Sequence, residues 1–264
     1  MFKDNILVFD IETVADVAGY RRLHALKGGS AAEVAQLMAS ERLADSGTSF
    51  LRPHLHRIVA ISVLLNEPQR GIRLWSLGDE HSDEAELVRR FFAGIDRFVP
   101  NLVSWNGGNF DLPVLHYRAM RHGISARQYF ETGEHNPKFR FNNYLSRYHW
   151  RHTDLMDVLA FYNNGNAVKL DELAKLCGFP GKLAMDGSAV QERFERGEIE
   201  AIRNYCETDV LNTYLLYLRF ELLRGNLNQL QYEAQLEQVK NYLRQDGAPD
   251  HWHDFLEAWQ ANEA

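Results

Sequence analysis

An excess of positive charge is what this chain lacks. It carries 36 acidic residues against 29 lysines and arginines, a formal net charge of −7. That balance argues against a protein that coats nucleic acid by bulk electrostatics. It leaves room for an enzyme that grips one strand end, because a carboxylate-lined site attracts phosphate once divalent cations fill it. No apolar run approaches the roughly 20 residues that span a bilayer, so no membrane partner is expected. The opening MFKDNILVFDIETV lacks the basic–apolar–small order of a secretory signal. Cysteine is scarce: Cys177 and Cys206, both in helix-like stretches, fit a cytoplasmic protein with reduced thiols. Internal repeats and low-complexity linkers are missing too. With 45% hydrophobic residues over 264 positions, the chain can bury a sizeable core in one large α/β domain or a domain with an appendage.

The apolar patterning supplies four strands. Residues 6–14 (ILVFDIETV) read as a buried strand, and 57–65 (RIVAISVLL) and 72–77 (IRLWSL) as two more, separated by the turn signals NEPQRG. LVSW at 102–105 is the fourth. Residues 15–50, with helical spacing in AAEVAQLMASERLA, predict a helical insertion behind the first strand. SDEAELVRRFFAGIDRF predicts a helix with Ser82 as N-cap, and FDLPVLHYRAMRHG a helix ended by Gly123. Residues 125–152 are irregular. HTDLMDVLAFY, LDELAKLCGF and the long stretch 188–224 read as helices, the last broken at Gly197. The expected fold is α/β, a mixed sheet flanked by helices, with residues 1–225 as the main domain and 226–264 as a helical extension.

Three groups of residues carry chemistry. Asp10 and Glu12 lie i, i+2 on a strand and so project from one face. Two acids on an otherwise apolar strand are costly unless paired, and hard divalent cations want such oxygen ligands. About one Asp-x-Glu is expected by chance in this composition, so the buried setting carries the inference. Asp111 follows a strand and a Gly-rich turn and precedes Pro113; helix capping is the plain reading, although a helix N-terminus also favours phosphate. Tyr205 and Asp209 lie i, i+4, hence on one helical face. Tyr242 and Asp246 repeat that spacing, but Gly247 and Pro249 follow, and this second pair reads as surface.

In this order the three groups resemble the motifs of the DEDD proofreading-exonuclease superfamily, in its tyrosine-bearing branch. Asp10 and Glu12 match the acid–x–acid strand, Asn106 and Asp111 in WNGGNFDLPVL the second motif, and Tyr205 and Asp209 in YCETD the third. HRIVAISV, FDLPVLHYR, HTDLMDVL and KLDELAKLCGFP look like the predicted exonucleases related to the exonuclease domain of family B DNA polymerases. The resemblance covers residues 6–220, without the 15–50 insertion and with no polymerase domain following. It implies a ribonuclease-H-like fold and a 3′→5′ exonuclease using two Mg²⁺ or Mn²⁺ ions held by Asp10, Glu12, Asp111 and Asp209. One ion would generate hydroxide and the other would stabilise the leaving 3′-oxygen. Tyr205, a poor base at a free pKa near ~10, would orient the attacking water. The implied partner is the 3′ end of a nucleic acid, preferably single-stranded DNA, and the implied products are 5′-mononucleotides. The competing readings are an enzyme on RNA ends or short oligonucleotides and, in another class, a non-catalytic nucleic-acid-binding module.

Substrate contacts are assigned to Thr13, Asn106 and Asn109 beside the acids. Arg140 and Arg147 join them, from KFRFNNYLSRYHWRH, where arginines alternate with aromatics as in single-strand binders. A loop whose aromatics pack inward while its charges stay wet is the alternative. His54/His56 and His251/His253 read as ordinary histidines, since no third zinc ligand is evident. Asp154 and Asp157 read as helix caps or as support for the metal site.

Overall fold

The computed structural model describes residues 2–183 and 185–263. The strands β1 (Ile6–Ala15), β2 (His56–Glu67), β3 (Gly71–Ser76), β4 (Asn101–Ser104) and β5 (His152–Asp154) form one sheet in the order β3-β2-β1-β4-β5. β2 runs antiparallel to β1 and to β3, while β4 is parallel to β1 and to β5. The fold is therefore α/β with a mixed sheet. β5 was not anticipated: its three residues are too few to show a period of two.

Helices cover both faces. Behind β1 come α1 (Val17–Leu23) and α2 (Ala31–Ser46); α3 (Glu84–Phe98) and α4 (Asp111–His122) follow β3 and β4. After β5 the chain forms α5 (Leu155–Leu159), α6 (Leu170–Leu176), α7 (Val190–Glu195), α8 (Ile199–Leu223), α9 (Gln229–Leu243) and α10 (Asp250–Glu263). Among the described residues, no helix is long and apolar enough to cross a membrane.

The alternation along β1 decides where the chemistry goes. Leu7, Phe9 and Ile11 join α3 and α4 in one core, with Phe91, Phe92, Leu112 and Leu115. Ile6 and Val8 pack on the other face with Val210, Leu211 and Tyr214 of α8. Asp10 and Glu12 continue that second row. The face turned toward α8 thus changes from aliphatic to acidic within one strand.

Two local expectations are corrected. Asp83, not Ser82, caps α3, accepting from Glu86 N at 2.8 Å, whereas Ser82 Oγ accepts from Asp79 N at 3.0 Å. Tyr242 is not a surface residue. It is half-buried, its hydroxyl accepts from Leu74 N at 3.0 Å, and its ring lies 5.2 Å from Trp252. The segment after Gly225 is drawn in because Leu227, Tyr232, Val239, Leu243, Phe255 and Trp259 bury themselves in the core of α8.

A buried ion cluster ties the first insertion helix to the body. Arg118 on α4, 2% exposed, holds Asp16 at 2.6 Å and also binds Glu84. Arg121 reaches Asp16 at 2.5 Å, and His122 reaches Glu84 at 2.8 Å. Asp16 in turn caps α1 through Gly19 N at 2.9 Å.

Candidate active site

β1 delivers Asp10, half-buried, and Glu12, 8% exposed. α8 lies across them, and its i, i+4 spacing places Tyr205 and Asp209 on the turn of helix facing the acids, at 7% and 6% exposure. Asp111 is the first residue of α4, not its cap, and its Oδ1 accepts from Ile11 N at 3.2 Å. That bond fastens the start of α4 to the backbone between the two β1 acids. The five residues singled out from sequence therefore converge on the middle of β1, just past the end of its pairing with β4.

The electrostatics follow from crowding. Burial lifts the Asp10 carboxyl well above the usual range, and Asp111 and Asp209 lift it further. Glu12 is raised by burial and then by Asp10 and Asp209. Asp111 is pushed up to about 7, chiefly by burial. Asp209 is raised by burial, against the pull of Lys182. Tyr205 is held far from ionising by burial and by Asp209. Asp209 Oδ1 is buried and has no hydrogen-bond partner. A carboxylate cluster with an orphaned buried oxygen suits a hard divalent cation, whose oxygen ligands this set supplies.

Sequence reasoning missed two residues. Lys182 donates to the Tyr205 hydroxyl and stands 3.5 Å from Asp209 Oδ2. Its loop is clamped by α8: Asn212 accepts from Gly181 N at 3.0 Å and donates to Gly181 O at 2.9 Å. Asp171 accepts from Lys182 N at 2.7 Å. Gly181 has φ +69°, and a Cβ there would stand 2.5 Å from Asp171 Oδ1, so the turn needs glycine. Cys206 is the second: its Sγ lies 3.5 Å from Asp10 Oδ2, and burial pushes its thiol pKa up. A lysine in a coil and a cysteine in a helix carry no spacing signal that would have flagged them.

Asp154 supports the site from behind. Its Oδ1 accepts from Asn106 N at 2.8 Å and its Oδ2 from Gly108 N at 2.9 Å, holding the turn that leads to Asp111; it also caps α5 through Asp157 N at 3.3 Å. Of the two readings weighed for Asp154, the helix cap is the one its contacts show.

The residues assigned to substrate are placed less uniformly. Asn106 sits in the turn at φ +64°, its Oδ1 accepting from Asn109 Nδ2 at 3.0 Å. Thr13 Oγ1 is engaged with His56 Nδ1 at 2.8 Å, where the β1–β2 register shifts. Arg147 is bound to Asp157 at 2.6 Å and lies over the Tyr162 ring. Arg140 is exposed and has no ion-pair partner among the described residues. The aromatics of this segment divide: Phe139 and Tyr144 are core, whereas Phe141 and Tyr148 are 83% and 67% exposed. His56 is buried and accounted for by Thr13 and Leu51 O, and His251 is bound to Glu207 at 2.8 Å.

Sheet order and helix placement define an α/β protein of ribonuclease-H-like fold. The family model described as a predicted 3′-5′ exonuclease related to the exonuclease domain of PolB matches residues 48–259. The chain belongs to that family. The match includes Asp111, Tyr205 and Asp209 and starts after β1. A DNA polymerase of Archaeoglobus fulgidus is 26% identical over 167 residues, 62% of this chain and 20% of the relative. The catalytic polypeptide of DNA polymerase epsilon from Dictyostelium discoideum is 29% identical over 141 residues, 52% of this chain and 6% of the relative. The chain thus spans a fifth or less of these relatives. The solved family B DNA polymerase of Pyrobaculum calidifontis superposes with a TM-score of 0.52 at 19% identity, covering 99% of this chain and 30% of that one. That likeness concerns the fold.

Proposed function

We propose that this chain is a divalent-metal-dependent 3′→5′ exonuclease of the tyrosine-bearing branch that acts on single-stranded DNA ends and releases 5′-mononucleotides. The observation that carries the reading is the convergence of Asp10, Glu12, Asp111 and Asp209 around one buried, unpartnered carboxylate oxygen, with Tyr205 beside them. DNA is favoured as substrate because the curated relatives are DNA polymerases.

Asp10, Glu12, Asp111 and Asp209 would hold Mg²⁺ or Mn²⁺, which when bound lowers the pKa of a water and offsets charge on the departing 3′-oxygen. The chain's own residues do the rest. Tyr205 stays protonated across the working range and so acts by its hydroxyl dipole and not as a base. Lys182 fixes where that hydroxyl points, because it donates to the phenolic oxygen and leaves the O–H to the Asp209 carboxylate. Asn106 and Asn109 at the mouth of the turn offer amides to the terminal nucleotide. Arg140 offers a free cation to the phosphate backbone of the incoming strand.

The test is a panel of 3′-labelled single-stranded DNA, duplex DNA with 3′ overhangs, and RNA, with Mg²⁺, with Mn²⁺ and with chelator. Mononucleotide release from single-stranded DNA, lost with chelator and in Asp10→Ala and Asp209→Ala, is the expected result. Each substitution should cost on the order of 10²–10³-fold or more, as loss of charge stabilisation made in the transition state. Preference for RNA would move the substrate assignment. Wild-type turnover by either variant would refute the site.

A further inference from the structure

The turn of α8 that carries Tyr205 and Asp209 also carries a side chain that hydrolysis does not use. Cys206 is 0% exposed. A buried cysteine ordinarily fills apolar space, but this one is turned toward carboxylates. Its Sγ lies 3.4 Å from Asp10 O and 3.5 Å from Asp10 Oδ2. One ligand atom each from Asp10, Glu12 and Cys206 fall within 4.8 Å of one another. Asp209, three residues along the same helix, brings the buried Oδ1 that no donor satisfies.

These separations suit a particular kind of cation. Four-coordinate zinc binds sulfur at about 2.3 Å and carboxylate oxygen at about 2.0 Å, so two such donors at a tetrahedral angle stand about 3.5 Å apart. The sulfur-to-oxygen distance between Cys206 and Asp10 has that value already.

We propose that Asp10, Glu12 and Cys206 form a mixed oxygen–sulfur site for a thiophilic divalent cation, Zn²⁺ or Cd²⁺, with water as the remaining ligand. Binding replaces the S–H bond of Cys206 by a sulfur–metal bond; the proton leaves to solvent, and no electron changes hands. Mg²⁺ and Mn²⁺ prefer oxygen and leave the sulfur alone. A thiophilic ion is therefore held there by a bond to sulfur that the hard ions cannot make. The site stands on donor geometry and does not depend on the nuclease reading.

The test uses the full chain in a Cys177→Ser background, which leaves Cys206 as its one thiol. The protein is stripped with chelator and titrated with Cd²⁺ in the absence of nucleic acid, following the near-ultraviolet sulfur-to-cadmium charge-transfer band. One equivalent of band-forming Cd²⁺ is expected. Adding Cys206→Ser should abolish the band and weaken Cd²⁺ binding about tenfold or more. Asp10→Asn keeps the thiol and the side-chain volume and should weaken band formation by a similar factor. It tests the site independently should the serine variant not fold. No band in the Cys177→Ser protein, a band that survives Cys206→Ser, or one indifferent to Asp10→Asn overturns the proposal. Since no cleavage is measured, failure here is distinguishable from failure of the exonuclease assignment.

Discussion

Removal of the Asp154 carboxylate should be felt at Asp111, although the two side chains belong to different elements. Asp154 Oδ1 and Oδ2 take the N–H groups of Asn106 and Gly108 at 2.8 and 2.9 Å, and Oδ1 also takes Asp157 N at 3.3 Å. Hydrogen bonds to a charged acceptor contribute roughly 1.5–3 kcal/mol each. The two short bonds are the strong ones, so their loss comes to about 3–6 kcal/mol. Burial raises the Asp154 pKa, so the carboxylate is itself strained in place, and its removal recovers part of that cost. A net loss of about 2–4 kcal/mol is expected for Asp154→Ala. Asn106 is the residue that moves first, because a left-handed conformation in a non-glycine residue costs of order 1–3 kcal/mol and persists only while its surroundings enforce it. As the turn relaxes, α4 starts elsewhere and Asp111 leaves the carboxylate cluster. Asp154→Asn is no rescue: whichever way the amide is turned, its NH₂ faces one of the two backbone N–H groups. Urea unfolding followed by tryptophan fluorescence gives the stability, and single-turnover cleavage at saturating Mn²⁺ gives the rate. A loss under about 1 kcal/mol with unchanged turnover would refute the coupling between Asp154 and the Asp111 turn.

Four further outcomes follow from the structure. Tyr205→Phe and Lys182→Met should each lower kcat about 10–10²-fold, and the double variant should be little worse than either, because the two groups form one hydrogen-bonded unit; additive losses would separate them. Tyr242→Phe should leave kcat alone but cost about 1 kcal/mol through Leu74 N, and a kcat effect there would mean the wrong tyrosine has been chosen. With Asp111 raised to about 7 when folded, the native state binds the extra proton between the ordinary carboxylate range and about pH 7, so metal-free stability should fall as pH rises through that window and level off above it. Tm measured from pH 5 to 8.5 should show a shallower slope in Asp111→Asn, and Mn²⁺ should restore the wild-type protein at high pH; equal slopes would remove Asp111 as the cause. Arg118→Met strands two buried carboxylates, Asp16 and Glu84, and should cost about 3–5 kcal/mol in urea unfolding, a reading contradicted by a loss below about 1 kcal/mol.

What the sequence made legible was periodic. The alternation in ILVFDIETV places Asp10 and Glu12 on one face, and the i, i+4 spacing in YCETD places Tyr205 and Asp209 on another; the structure brings those faces together. β5 was too short to carry a period, and Tyr242 was misread because Gly247 and Pro249 mark the end of α9 but say nothing of what its last turn packs against. Ser82 and Asp83 are both good N-caps, and only the path of the incoming chain decides between them. Lys182 was out of reach for a different reason. Its position is set by Asn212, thirty residues on, and by Asp171, eleven residues back, so no local window contains the cause.

Lys182 also bears on how a fold can tolerate so much buried acid. Burial raises the pKa of all four acids, Asp111 and Asp209 raise that of Asp10 further, Asp10, Asp209 and Asp111 that of Glu12, and among the described residues one lysine faces them. That lysine is tied to Asp209 and Tyr205, on the α8 side, and lies in a loop that α8 itself clamps. The α8 half of the cluster is thus partly neutralised, while Asp10 and Glu12 on β1 are left to share protons or accept a cation. The backbone holding them belongs to a central strand: Asp10 and Glu12 pair with Ser62 and Ala60 of β2, and β4 joins the other edge just before them, at Ile6–Val8. Repulsion therefore cannot be relieved by moving the acids apart. It can be relieved by protonation, which the raised pKa values favour even near neutral pH, or by a divalent cation, which alone would leave all four carboxylates ionised.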